Sequence, residues 1–259
     1  SFGHAPELEE PALILDNPVL HDQAIDMTVL LVIGERCALA ASSGLINSAP
    51  DEASKRFLAT QTLDEARHVE IFTQRLFDLG VKKNEFANVL LEKVDKKDFI
   101  AGVVGQNIVL EGMAFSVFEM IYASNQTLNP KFAQVLSGTI ADERRHVGFG
   151  ENRIGSLIAE HPEKKAEVEK MQKDMSYHML ATFSGAFNRG REAMAVGREL
   201  NAAQRAEQGD VVWHGANLTT ASPEEMEAVL GDTVLKEFKV RLGRIGLEDQ
   251  TPDRPSAAA

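Results

Sequence analysis

The sequence has little of what would mark several common classes of protein. It contains one cysteine, Cys37, in 259 residues, which excludes an intramolecular disulfide and a cysteine-based metal cluster. A single cysteine fits a reducing compartment, and we predict a cytoplasmic protein. Basic residues are also scarce, since 27 Lys and Arg face 39 Asp and Glu, for a formal net charge of −12. This balance argues against a nucleic-acid or anionic-membrane partner.

Long apolar runs are missing too. Residues 29–33 form one of the longest, whereas a membrane-spanning helix needs about 20 apolar residues. The first residues lead into Glu7, Glu9 and Glu10 rather than into an apolar signal segment. We therefore expect no membrane segment, and a partner that is neutral or apolar, such as a small organic molecule.

What the sequence does contain is helical periodicity along most of its length. No stretch alternates with period two between hairpin signals, so we predict an all-α fold with little or no sheet. With an apolar fraction of 44% over 259 residues, a single domain spanning residues 1–259 is expected. Its core would span residues 22–207, followed by a helix at 222–246 and a loose tail at 247–259.

Capping residues set the helix boundaries. Gly80 suits the left-handed position after a helix, Asn129 and Pro130 suit the start of one, and Ser222 with Glu225 forms a capping box. A loop is expected at residues 209–221. Helices are predicted at residues 22–46, 51–79, 84–97, 99–124, 130–160, 163–207 and 222–246.

One pentapeptide pattern occurs twice, as DEARH at residues 64–68 and DERRH at residues 142–146. In each copy a Glu and a His stand three residues apart, Glu65 with His68 and Glu143 with His146. On a helix such a pair projects from one face, so a carboxylate and an imidazole can share one ion. The repeat predicts a metal site, and two exposed, charged helix faces are the alternative.

A site for two ions needs four carboxylates and two imidazoles, so two further helices must each supply a Glu. Glu35 lies in an apolar stretch 30 residues before Glu65, and Glu111 lies in another, 32 residues before Glu143. An ionised Glu on a core-facing stripe is costly unless it is paired or bound to metal. The alternatives are that Glu35 pairs with Arg36 and that Glu111 borders solvent. Oxygen and imidazole ligands suit Fe or Mn.

This pattern resembles the ferritin-like di-iron carboxylate proteins, and it is more similar to the ribonucleotide reductase small subunit and its oxygenase relatives than to storage ferritins. The resemblance implies a four-helix bundle core with additional helices, two iron ions or Mn with Fe, and O₂ as co-substrate. Glu65 and Glu143 would bridge the ions. The implied ligands, whose four glutamates would form the catalytic centre, are Glu35, Glu65, His68, Glu111, Glu143 and His146.

The aspartates that open the two motifs would orient the histidines. Multicomponent monooxygenases and acyl desaturases carry the same pattern, and by that resemblance Asp64 would orient His146 and Asp142 would orient His68. The physical reason is that a ligating imidazole normally donates its other N–H to a carboxylate. An ordinary salt bridge with a nearby Arg is the alternative for each Asp.

At three positions the sequence differs from these relatives, and the differences bear on the expected reaction. Phe72 stands where reductase subunits usually carry a radical-storing tyrosine, and Phe115 stands where hydroxylating monooxygenases carry a threonine. Thr139 stands where arylamine N-oxygenases carry an extra histidine ligand. We predict a closed apolar substrate pocket near these three residues. His178 is a further candidate for its lining, with a core helix face as the alternative.

The predicted function is an O₂-activating di-metal oxidase or oxygenase acting on an apolar or aromatic organic substrate, by hydroxylation, N-oxygenation or a related two-electron oxidation. The resemblance also implies an external electron donor, such as a reductase or a ferredoxin, and allows a homodimer. Two alternatives stay open. One is a radical-generating subunit like that of ribonucleotide reductase, and the other is a ferroxidase or metal-binding protein.

Overall fold

The structure, a computed structural model, describes residues 10–81, 99–200 and 209–247 and is almost entirely helical there. A π-helical segment, Val104–Leu110, directly precedes the helix that begins at Glu111, and a 3-10 turn, Pro162–Lys164, directly precedes the helix that begins at Lys165. Strands β1 (Val212–Trp213) and β2 (Ala216–Asn217) pair as a short antiparallel hairpin. The helices are α1 (Ala12–Leu15), α2 (Pro18–Leu45), α3 (Glu52–Asp78), α4 (Phe99–Val103), α5 (Glu111–Leu128), α6 (Pro130–Glu160), α7 (Lys165–Leu200) and α8 (Pro223–Arg244).

Two helix pairs build the bundle. Helix α2 packs along α3, and α5 packs along α6, each pair joined by a short connection. The pairs meet through α3 and α6, while α7 packs on the π-helical segment and α8 packs on α5. The predicted all-α fold, a four-helix core with additional helices, is therefore confirmed.

The predicted helix ends are largely where their capping residues put them. The side chain of Asp51 accepts a hydrogen bond from the backbone N–H of Ser54, and Asn129 caps α6 in the same way. Ser222 and Glu225 form the predicted capping box of α8. Gly80 takes a positive φ of 85° directly after α3, which costs glycine little because it has no Cβ.

Several boundaries differ from the prediction. Helix α2 begins at Pro18, four residues early, because Asn17 caps it. Leu247, predicted in the loose tail, is 3% exposed and packs in the core, and the predicted loop at 209–221 contains the β1–β2 hairpin. The predicted helix at 84–97, the end of the 163–207 helix and the tail at 248–259 lie outside the described residues.

The third long helix, predicted as one α-helix, changes to π-helical geometry between Val104 and Leu110. Two glycines bring its first turns close to their neighbours. A Cβ at Gly102 would lie 2.5 Å from Cδ2 of Leu45, and one at Gly105 would lie 3.2 Å from Sδ of Met175. The π-helical geometry ends immediately before Glu111, which opens α5.

The same helix, Phe99–Leu128, is long and apolar enough to cross a membrane by length and composition. However, 61% of its apolar window is buried inside the protein, and its side chains contact α6, α7 and α8. That burial is the one expected of a helix in a protein core.

An apolar cluster shared by α2, α3, α5 and α6 fills one part of the bundle, and we call it the phenylalanine cluster. Its buried members are Val32, Phe72, Leu76, Phe115, Phe118, Phe132, Leu136 and Ile140. A second cluster lies beneath α7 and α8. Both clusters are buried, so the polar side chains that lie between them are shielded from water.

Helix α6 touches the π-helical segment at Gly150. A Cβ at this position would lie 2.6 Å from Cβ of Asn107 and 3.2 Å from Cδ1 of Ile108. Gly148, on the same helix, is exposed and has nothing within 4 Å of the corresponding point.

We expect Gly150→Ala to lower the free energy of unfolding by about 1–3 kcal/mol, because the π-helical backbone must shift to make room. Gly148→Ala is the matched control and should raise it by about 1 kcal/mol, since Ala favours a helix interior over Gly. Urea unfolding of the two variants measures both values. Equal effects at the two positions would contradict the close approach.

Candidate metal centre

Six buried side chains from the four bundle helices converge between the two apolar clusters. Helix α2 supplies Glu35, α3 supplies Glu65 and His68, α5 supplies Glu111, and α6 supplies Glu143 and His146; none is more than 5% exposed. Their ligand atoms form two groups in which all atoms lie within 4.8 Å of one another. The groups are Glu35, Glu65, His68, Glu143 and Glu65, Glu111, His146.

The first group surrounds the Nδ1 atom of His68. Glu35 Oε2 lies 3.2 Å from it, Glu65 Oε2 lies 3.3 Å away, and Glu143 Oε1 lies 3.4 Å away. We call this group the Glu35 subsite.

The second group surrounds the Nδ1 atom of His146. Glu65 Oε1 lies 3.3 Å from it, and Glu111 Oε1 lies 3.8 Å away. Glu143 Oε2 lies 3.6 Å from the same nitrogen. Glu65 and Glu143 thus present one oxygen to each imidazole, which is the placement of bridging carboxylates. We call this group the Glu111 subsite.

Burial raises the pKa of three of these glutamates, whereas for Glu65 burial is outweighed by hydrogen bonding and attraction from the two histidines, which lower its pKa. Burial raises the pKa of Glu35 to about 7. Burial, together with repulsion from Glu143 and Glu65, raises the pKa of Glu111 well above its usual value, and burial with repulsion from other glutamates does the same to Glu143. For His68, burial is outweighed by hydrogen bonds to carboxylates, which raise its pKa. In the metal-free protein the cluster therefore holds protons that metal ions would displace.

The residues fit a pair of metal ions. Glu65 Oε2, Glu143 Oε2 and His146 Nδ1 are buried and lack a hydrogen-bond partner among the described residues. Unpartnered buried lone pairs are costly, and two bound cations would use all three, one at Glu65 Oε2 beside His68 and one at Glu143 Oε2 and His146 Nδ1. Four carboxylates also match the four positive charges of two divalent ions, and the donor set contains no thiolate, as suits Fe or Mn.

The histidines are oriented by the aspartate of the opposite motif. His68 Nε2 lies 3.1 Å from Asp142 Oδ2, and His146 Nε2 lies 3.2 Å from Asp64 Oδ2. Because an ionised carboxylate can only accept, each Nε2–H donates and each Nδ1 is turned toward the glutamates.

Two half-exposed arginines tie these aspartates together. Arg67 pairs with Asp64 and lies 3.1 Å from Asp142, while Arg145 lies 2.9 Å from Asp64 and 2.8 Å from Asp142. Burial would raise the pKa of Asp142, but hydrogen bonds from His68 and Arg145 lower it to about 2. The sequence left two alternatives for each aspartate, orienting a histidine or pairing with an arginine. In the structure each aspartate does both.

No protein-family model matches the sequence, and no curated protein matches it. Among solved structures, the chain is similar to a protein from Synechococcus described as "Protein 19 with aldehyde deformylating oxidase activity", with a TM-score of 0.65 and 16% sequence identity. The match covers 90% of this chain and 94% of the other. The chain has the ferritin-like fold. The predicted resemblance to ferritin-like di-iron carboxylate proteins is confirmed by this likeness and by the buried cluster.

Three buried carboxamides beside the cluster were missed from the sequence. Gln61, Gln106 and Asn107 all donate hydrogen bonds to Glu111. Gln61 precedes Glu65 by four residues, and Asn107 precedes Glu111 by four, so helical spacing could have identified both. Gln106 precedes Glu111 by five residues, a spacing that shares a face only in π-helical geometry.

The predicted pocket residues divide into two sets. Phe72 is fully buried with its ring centre 6.5 Å from that of Phe118, Phe115 belongs to the same phenylalanine cluster, and Thr139 is buried on α6. His178 is exposed on α7, with its ring against Tyr177. Its predicted place in a closed pocket is therefore wrong, because its face of the helix points to solvent.

The surroundings of Phe115 are not wholly apolar. The guanidinium carbons of Arg241 and Arg144 lie 5.1 and 5.5 Å from its ring centre. A further group of ligand-type atoms lies nearby, formed by Glu119, His214 and Glu237, but these side chains are partly or largely exposed. Burial and repulsion from Glu237 raise the pKa of Glu119, and the two arginines counter this only in part.

Replacing Glu111 by Ala should reduce the bound metal from two ions per chain to one, because the Glu111 subsite loses a charged ligand in a dry core. Equilibrium dialysis with Mn(II), followed by elemental analysis, measures the ratio. Glu119→Ala, on the same helix, is the matched control and should retain two ions. Two ions of unchanged affinity in the Glu111 variant would show that Glu111 is not a ligand.

Asp142→Asn should weaken metal binding by about 10- to 100-fold, since an amide no longer holds the imidazole N–H of His68 as a carboxylate does. A Mn(II) titration compares the variant with Asp174→Asn, an exposed position on α7. Equal affinities for these two variants would reduce Asp142 to a surface charge.

Proposed function

We propose that the protein is an O₂-activating di-metal oxidase or oxygenase that acts on an apolar or aromatic organic substrate. The observation that carries this proposal is the buried cluster itself, in which Glu65 and Glu143 face two imidazoles that are each fixed from behind by an aspartate. A structural ion would not require two such groups sharing carboxylates.

We propose that both metal ions are iron, and the alternative is one Mn ion with one Fe ion. When bound, two such ions supply the binding and reduction of O₂. The chain would hold them through Glu35, Glu65, His68, Glu111, Glu143 and His146.

The protein's own groups prepare the centre. Asp64 and Asp142 keep the imidazole protons on Nε2, so that Nδ1 is free to bind. Arg67 and Arg145 each form ion pairs with both aspartates and so hold them in place. Burial excludes water, which strengthens the electrostatic interactions and protects reactive species from solvent.

The side chains that border the centre support the proposed substrate class. Helix α3 carries Phe72 one turn beyond His68, and α5 carries Phe115 one turn beyond Glu111, both in the phenylalanine cluster. Binding sites between bundle helices are usually lined by apolar side chains with few polar groups. The aldehyde-deformylating oxidase activity named for the structural neighbour makes an alkyl aldehyde a suitable first probe.

The radical-generating alternative is disfavoured by the tyrosines. Phe72 occupies the position of the stored radical, and Tyr177 is 54% exposed on α7. Tyr122 follows Glu111 by eleven residues, about 16 Å along a helix. We further propose an external electron donor, a cytoplasmic location and a homodimer.

A single turnover tests the proposal. The protein is loaded anaerobically with two Fe(II) per chain, mixed with ¹⁸O₂ and either an alkyl aldehyde or an arylamine, and analysed by mass spectrometry and electron paramagnetic resonance. The two irons provide two electrons and the substrate two, which completes the reduction of O₂. We expect at most one oxidised product per pair of irons, and no stable tyrosyl signal.

Glu65→Ala, which removes a ligand shared by both subsites, is the inactive control. A long-lived tyrosyl signal with no product would instead support the radical-generating function. Excess Fe(II) in air distinguishes the ferroxidase, because a storage-type protein oxidises many irons per chain, whereas this protein should stop at about two, one filling of a two-metal site.

A further inference from the structure

The amide group of Gln61 bridges the two glutamates of the Glu111 subsite. Its Nε2 lies 2.7 Å from Glu111 Oε1 and 3.1 Å from Glu65 Oε1. These are the same oxygens that face the unpartnered Nδ1 of His146. A neutral side chain thus joins the atoms that a metal ion in this subsite would join.

Two further amides complete the arrangement from the π-helical segment. Gln106 Nε2 lies 3.1 Å from Glu111 Oε1, and Asn107 Nδ2 lies 3.0 Å from Glu111 Oε2. Asn107 Nδ2 also donates to the side-chain oxygen Oε1 of Gln61 over 3.2 Å. This bond fixes the direction in which the side-chain amide of Gln61 points. In each of the three contacts with Glu111, the side-chain NH₂ group is the donor and an oxygen of Glu111 is the acceptor.

Three of the about four acceptor sites of the Glu111 carboxylate are consequently occupied. A carboxylate oxygen has about two sites for hydrogen bonds or metal, and both sites of Oε1 are used by Gln61 and Gln106. The Glu35 subsite differs, because no described amide donates to Glu35, and Glu65 Oε2, which faces His68, has no hydrogen-bond partner among the described residues.

We propose that Gln61 and Gln106 stand in for the second metal ion in the metal-free protein, so that the Glu35 subsite fills first and the Glu111 subsite fills only when these amides release Glu111. This inference rests on the proposed two-metal centre and deepens it. The amides stabilise the metal-free state and compete with the second ion, so their removal should affect the two properties in opposite directions.

Gln61→Leu tests the proposal because leucine has a similar size and cannot donate. The metal-free variant should melt at a lower temperature than the wild type, since Glu65 and Glu111 lose a shared donor. Its second Mn(II) ion should bind about tenfold more tightly, the equivalent of about one charge-assisted hydrogen bond. The first binding step should be unchanged. Anaerobic calorimetric titration with Mn(II) resolves the two steps without any turnover.

Gln106→Leu is the second variant, since it removes one donor from Glu111 without touching Glu65, and it should change both properties in the same directions by a smaller amount. Gln172→Leu is the matched control. Gln172 is fully buried on α7, its described side-chain hydrogen bond joins Ser176 rather than the cluster, and its loss should leave both metal affinities unchanged.

The outcomes separate the two claims. A wild-type protein that binds fewer than two ions would contradict the proposed function itself. Two ions in the wild type, with a second step that is unchanged or weaker in both Gln61→Leu and Gln106→Leu, would overturn the inference and make these amides supports of the bound ligand. A tighter second step together with a lower melting temperature, in either folded variant, supports it.

Discussion

The structure depends on how the negative charge of four buried glutamates is offset. Placing Glu35, Glu65, Glu111 and Glu143 together in a water-free interior is costly unless cations or donors surround them. Protons on the cluster and amides around Glu111 meet this need in the metal-free protein, and two divalent ions would meet it fully. The same charge balance involves the surrounding groups. The aspartates hold the histidines against the glutamates, and the arginines pair with the aspartates.

The two halves of the centre are related but unequal. Each half has a single Glu on one helix and a D-E-x-R-H motif on the next, and the motifs exchange hydrogen bonds across α3 and α6. The inequality comes from the π-helical segment, which places Gln106 and Asn107 against Glu111. Helix α2 shows no such irregularity before Glu35. A local change of helix geometry thus distinguishes two metal subsites that the repeat alone would make equivalent.

The sequence predicted the features that depend on spacing within one helix. The Glu and His pairs three residues apart, Glu35 and Glu111 in apolar stretches, and the caps at Asn129 and Ser222 all follow from local sequence patterns. Features that depend on a change of helix type or on contacts between elements were not predicted. Gln106 reaches Glu111 only through a π-helical turn, and His178 was placed in a pocket although its side of α7 faces solvent.

The central claim is that one buried cluster holds two metal ions. Anomalous diffraction from crystals grown with Mn(II), recorded at the manganese absorption edge, tests it most directly. Two peaks are predicted, one among Glu35, Glu65, His68 and Glu143 and the other among Glu65, Glu111 and His146. A single peak at saturating Mn(II), or peaks confined to Glu119, His214 and Glu237, would contradict the account.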